Sequence, residues 1–188
     1  QRQMCIRDRR NYVAIGEADV PPIIGDLTAV SEKEFEERIK EYKKRFRGEY
    51  SSLHLASIKA FRYDMKIGDI VMVAADGYVY GICRIVSDYH YCEEYMPFYG
   101  EKQYIKREEA LRRISEGDYV LPLYVHRRNV EWLKITKIPY NLLPTPLKEE
   151  LTPPPPRPTL KKLKSSWEFL KPLLIPVSYT HLTLPTTE

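Results

Sequence analysis

The side chains best placed to do chemistry in this chain fall in two short stretches. The first runs from Asp88 to Tyr95, where Asp88, Glu93 and Glu94 form an acidic cluster among Tyr89, His90, Tyr91 and Tyr95. Adjacent carboxylates in a loop can hold a divalent ion, although most surface carboxylates are merely solvated, and that base rate favours a solvated loop. The second is His126-Arg127-Arg128, directly before a predicted strand. A guanidinium there can clamp a phosphate bidentately, and an equally weighted alternative is a charged strand edge that discourages aggregation. His90-x-Cys92 is too small a set to hold a metal by itself. The three cysteines, Cys5, Cys83 and Cys92, are odd in number and have no paired spacing, which argues against a disulfide framework and for a reducing compartment.

Catalytic signatures are missing. The sequence contains no GxxxxGK[ST] phosphate loop, no GxGxxG, no HExxH and no GxSxG, and its four histidines show no nucleophile–base pairing. The expectation is a binding module that is not itself an enzyme and needs no cofactor. Fifteen tyrosines against 5 phenylalanines and 2 tryptophans are compatible with a binding surface, but for any single tyrosine a half-buried strand is the favoured reading. The net charge of +4 and pI near 8.8 permit a polyanionic partner without requiring one. No apolar run approaches the roughly 18 residues a membrane span needs, so the expectation is a soluble, cytoplasmic protein with no membrane partner.

The elements that must position these groups are led by a hairpin over Met65–Tyr89. Ile70 to Val73 is a β-prone apolar run, Asp76-Gly77 suits a type I′ turn, and Tyr78 to Val86 returns as the partner strand. Upstream, Tyr12 to Gly16 reads as a short strand. Ser31 and Glu34 have capping-box spacing, and Phe35, Ile39, Tyr42 and Phe46 follow as one helical stripe that Gly48 closes. Ser52 to Phe61 fits helical spacing slightly better than strand. Tyr89 to Gln103 is aromatic and irregular, Lys106 to Ile114 is an amphipathic helix stopped by Gly117, and Tyr119–Tyr124 and Asn129–Lys137 read as two more strands. Beyond Pro139, the run Pro153 to Pro156 implies polyproline II backbone, and Leu160 to Leu174 a short basic helix. That region is either a linker toward another domain or a tail that folds back. The fold class expected is α+β, a small mixed β-barrel or strongly curved sheet of about five or six strands with flanking helices.

Residues 1–9 and 178–188, QRQMCIRDR and SYTHLTLPTTE, resemble translated adapter read-through and are set apart from the fold. The organisation expected is therefore a domain over residues 10–143 and a Pro-rich linker with a basic helix over 144–177.

Together YVAIG, the helix after GDL, the hairpin GDIVMVAADGYVYGICRIVSDYHY and HRRNVEWLKI resemble the EVE domain and its YTH-related relatives in the PUA-like superfamily. Within that group they look most like the N-terminal DNA-reading domain of archaeal McrB-type restriction proteins. The resemblance covers about Tyr12 to Leu143. It implies recognition of a modified base, flipped out of duplex DNA into an aromatic-walled pocket beside the barrel. Carried onto this chain, the pocket draws on Ile15, Gly16 and Glu17, where relatives commonly have Trp in place of Glu17, and on Asp88, Tyr89, His90, Tyr91 and Tyr95. Phosphates would be held by Arg127, Arg128, Lys161 and Lys162. The implied partners are modified double-stranded DNA and, in a McrB-type system, an AAA+ GTPase domain and a nuclease subunit outside this chain. RNA is the alternative ligand, as in other PUA-like modules, and a protein-docking module is a third reading.

Overall fold

The computed structural model describes residues 11–16, 24–45, 52–96, 104–123, 125–152 and 159–164. The expectations for residues 1–9 and 178–188, for Glu17, Phe46 and Gly48, for Pro153–Pro156 and for the helix beyond Lys164 lie outside them.

The central hairpin forms as its residues dictate. Strand β2 (Ile70–Ala75) and strand β3 (Tyr78–Ile85) pair antiparallel, joined by Asp76 and Gly77 at φ 50° and 78°, the two left-handed positions a type I′ turn requires. Strand β2 is a continuous apolar run because both of its faces are covered, not one. Val71 and Val73 look into one core with Cys83 and Ile85, while Met72 and Ala74 look into a second with Val79 and Ile82.

The first core is closed by helices. In α1 (Glu32–Arg45) the capping box forms, with Ser31 N–H donating to Glu34 Oε2 at 2.7 Å and Glu34 N–H donating to Ser31 Oγ at 3.3 Å. Phe35, Ile39 and Tyr42 of α1 are buried with Leu55 and Ile58 of α2 (Ser52–Lys59). Helix α2 then widens into a π-turn over Ala60–Asp64 that buries Phe61.

Strand β7 (His126–Pro139) is the longest strand and sets the topology. From Val130 to Pro139 it pairs antiparallel with β3, while its first residues, His126 and Arg127, lie between β1 (Tyr12–Ile15) and the short β4 (His90–Tyr91). Strand β8 (Thr159–Lys162) adds to the free edge of β2. The order β1-β7-β3-β2-β8, with β4 also on β7, is a strongly curved, half-barrel antiparallel sheet. A separate two-stranded sheet, β5 (Glu94–Met96) with β6 (Leu121–Leu123), flanks α3 (Arg107–Ser115). The α+β, curved-sheet class expected from the sequence is the class observed.

Three expectations are corrected. His126-Arg127-Arg128 is the start of β7 and not a loop, because far-off partners satisfy its charges inside the protein. The stretch after Tyr89 is not wholly irregular, since β4 and β5 pair with β7 and β6. Of the two readings for the region beyond Pro139, α4 (Thr145–Glu150) and β8 follow the tail that folds back, and the basic helix expected from Leu160 begins as a strand. Leu143, Leu147, Leu151 and Leu163 are buried against Met72, Val79 and Ile82, covering a sheet face that would otherwise meet water. Pro144 keeps extended backbone at φ −56° and ψ 145° as the residue before α4, while Pro146 in the first turn is compatible with a helix start. No helix among the described residues is long and apolar enough to cross a membrane.

Candidate functional site

Two segments distant in sequence meet at His126. On one edge of β7 Ile15 is in register with His126, and on the other edge Tyr91 is in register with the same residue. Directly paired residues share a face of the sheet, so Ile15, His126 and Tyr91 line one face together. The His126 ring lies 5.6 Å from that of Tyr91 and 5.8 Å from that of Tyr89, tilted by 57° and 32°. His126 is fully buried, and its Nδ1 is 2.8 Å from the Tyr89 hydroxyl. Tyr89, 6 % exposed, also accepts a 3.3 Å hydrogen bond from the Leu27 N–H.

The loop that carries Leu27 is held by cations and a phenol. Arg62, on the π-turn, donates to Leu27 O at 2.9 Å and Thr28 O at 3.1 Å, with its guanidinium 5.1 Å from the ring centres of both Tyr63 and Tyr89. Arg38 donates to Ile24 O and Asp26 O, and the Tyr63 hydroxyl to Val30 O. Burial raises the pKa of Tyr63, so it remains a neutral donor. The π-turn thus aims Arg62 and Tyr63 at the loop after β1, and that loop at Tyr89.

Arg128 fixes the other side. It is 2 % exposed and donates to Phe61 O at 2.9 Å, Arg62 O at 3.0 Å and Ser87 O at 3.2 Å, tying β7 to the π-turn and to the segment entering β4. Burial, and then the neighbouring Arg62 charge, lower its pKa. Arg127 faces the opposite side, where it pairs with Glu94 at 2.8 Å and lies 4.7 Å from the Tyr12 ring centre. Burial works against the Arg127 charge, but the hydrogen bond to Glu94 and nearby negative groups outweigh it and leave its pKa raised.

The sequence-predicted site residues therefore divide. Ile15, Tyr89 and Tyr91 are gathered around His126, Gly16 follows Ile15 just past the end of β1, and Asp88 is exposed at the entrance to β4. His90 is in register with Arg127, on the opposite face from Tyr91. Tyr95 is elsewhere, fully buried with Ala110 and Val120 beneath α3. Glu17 lies outside the described residues. The phosphate-binding expectation for Arg127 and Arg128 meets buried side chains that donate to internal partners. Lys162 is paired with Asp69 at 2.8 Å, and Lys161 is half-buried on β8, so these four cations do not converge.

The acidic stretch does not assemble a metal site. Glu94 is spent on Arg127, Glu93 accepts from the Tyr91 hydroxyl at 3.1 Å, and among the described residues no group of three His, Cys, Asp or Glu could hold a metal ion. Cys83 is buried, which pushes its thiol up to about 12 and marks it as inert packing. Sequence reasoning missed His126 and Arg62 as members of the cluster. The period-two alternation of His126, Arg128 and Val130 was the available signal for His126; nothing local marked Arg62.

A family model described as a domain of unknown function, DUF8426, matches residues 2–154. The chain belongs to that family. No curated protein and no solved structure matches it. The DUF8426 match runs past residue 143 and through α4, in keeping with the packing of α4 onto the sheet.

Proposed function

We infer that this DUF8426 domain is a reading module for a modified base in DNA, taking an extruded base against the face that Ile15 and Tyr91 form over His126, beside Gly16. The observation that carries the reading is that convergence: the end of β1 and the segment after the hairpin, the two segments an EVE- or YTH-like pocket uses, stand in register on either side of one buried histidine. Tyr91 is half-buried and keeps ring surface to offer, whereas Tyr89 and His126 are the buried support beneath it. Extruding a base costs a few kcal/mol and stacking on an aromatic ring returns about 1–3 kcal/mol, so stacking alone only balances extrusion. Discrimination must then come from contacts to the modification itself, from the polar groups of the adjoining loop. The reading is of a binding module without catalysis of its own, cytoplasmic, serving a McrB-type system whose GTP-hydrolysing motor and nuclease are separate from this domain.

The test is a titration of matched duplexes carrying N6-methyladenine, 5-methylcytosine or no modification. One modified duplex should bind at least about fivefold tighter than its unmodified twin, the worth of one stacked or specifically sensed base. Tyr91→Ala should erase that ratio while leaving the salt-sensitive background. Equal affinity for all three duplexes, or a stronger preference for RNA that falls when a 2′-hydroxyl is removed, contradicts the reading.

A further inference from the structure

At the hairpin end of the same sheet, well away from His126, two tyrosine rings and an ammonium stand together, and Trp132, packed against the edge of the first core, covers the adjoining Gly81. Tyr78 and Tyr80 on β3 are half-exposed, with ring centres 6.2 Å apart. Lys137, exposed on β7, holds its ammonium 4.2 Å from the Tyr78 ring centre and 5.9 Å from that of Tyr80. Trp132, half-exposed, lays its indole over Gly81: a Cβ at that position would be 2.7 Å from indole Cζ3. Glycine is what allows the ring to lie flat on the neighbouring strand. Ile135, in register with Gly81, is 51 % exposed between them.

We propose that this patch is a stacking shelf for single-stranded nucleic acid, with Tyr78, Tyr80 and Trp132 receiving bases and Lys137 the backbone. The register gives the reason for the concentration of rings. Tyr78 and Tyr80 are two residues apart on β3 and so share one face by ordinary strand alternation, and the register shifts of β7 against β3 fall beside them, between Val79 and Gly81 and between Ile82 and Cys83. Every base presents a π-face, so flat rings beside a cation suit a strand of any sequence. In the free protein the Lys137 ammonium lies by the tyrosine rings; its four-carbon stem lets it turn to a phosphate when a base takes that place. The positive charge at the rings complements a polyanion, in line with the chain's net charge of +4. Along β7, Trp132 is on the order of 20 Å from His126, so the shelf is a second contact and does not depend on a base pocket there.

The experiment is fluorescence anisotropy of a short labelled oligodeoxythymidylate against the full chain at low salt. Binding is expected, with at least about a fivefold loss for Tyr78→Ala/Tyr80→Ala. In a Trp167→Phe background, Trp132 emission should be quenched as the oligonucleotide saturates. Lys137→Gln should weaken binding and flatten its salt dependence. Thermal melting checks that the double variant folds; if it does not, the quenching and Lys137→Gln measurements decide. Absence of oligonucleotide binding, binding that the folded tyrosine variant retains in full, or unquenched Trp132 at saturation overturns the proposal. Because the probe is single-stranded and unmodified, its failure is distinct from failure of modified-base reading.

Discussion

Arg128 shows how a residue with the chemistry of a ligand contact can be turned inward. Its three donors end on backbone carbonyls of the π-turn and of Ser87, the bond to Phe61 O buried and those to Arg62 O and Ser87 O part-buried. Replacing it with Met keeps the stem and removes the donors. Arg128→Met should lower the unfolding free energy by about 3 kcal/mol, read by urea denaturation, since buried carbonyls left unsatisfied cost about 1–3 kcal/mol apiece and are not additive. A loss below about 1 kcal/mol would show that the guanidinium is not holding these segments together. None of this was legible locally. An arginine pair before a strand reads as surface charge, and its burial depends on Phe61, Ser87 and Glu94, which lie far away in sequence. Asp76-Gly77 and Ser31–Glu34, by contrast, are complete within four residues, so their structure could be read directly.

At the scale of elements, α3 is held by side chains on its own surface. Glu109 accepts from Arg112 at 2.7 Å and from Arg113 at 2.7 Å. Those hydrogen bonds bring its pKa down from 4.5 to about 2, with burial opposing them and the charges of the two arginines adding less. The folded value is below the unfolded one, so this contribution is complete above about pH 4.5 and disappears as the pH falls toward 2. The group is exposed and screened, so the expected effect is local. Amide exchange in α3 should quicken on acidification through that window in the wild type and change little in Glu109→Gln; identical acid responses would contradict the assignment. The capping box of α1 follows the same sign, because the Ser31 hydroxyl and N–H hold Glu34 below its ordinary value. Helix α3 and its Gly117 stop were readable from charge placement and periodicity, with Gly117 at φ 91°. Strand β8 was not: lysines interspersed with Leu160 and Leu163 after a proline run fit a helix or a strand alike, and only the open edge of β2 decides between them.

For the whole molecule, the domain is a curved sheet with two cores, and the C-terminal cover is as necessary as the helical one. A chain ending at residue 143 would leave Met72, Val79 and Ile82 facing water without Leu147, Leu151 and Leu163. It should show loss of a cooperative thermal transition, whereas a chain ending at residue 164 should retain it; equal melting of the two would return residues 144–164 to the status of a linker. Proline is a linker signal in the sequence, while a first-turn proline also starts helices. Within this scaffold the two sides of the reading face meet only because β7 runs between β1 and β4, a topology no single stretch encodes. The central claim is that an extruded, modified base is taken up at that junction. The most direct measurement places 2-aminopurine beside the modified base of a duplex and follows its emission on adding protein. The account predicts a rise, as the neighbouring base unstacks, that is specific to the modified duplex and absent with Tyr91→Ala. An unchanged signal at saturating protein, or the same rise with the unmodified duplex, would contradict it.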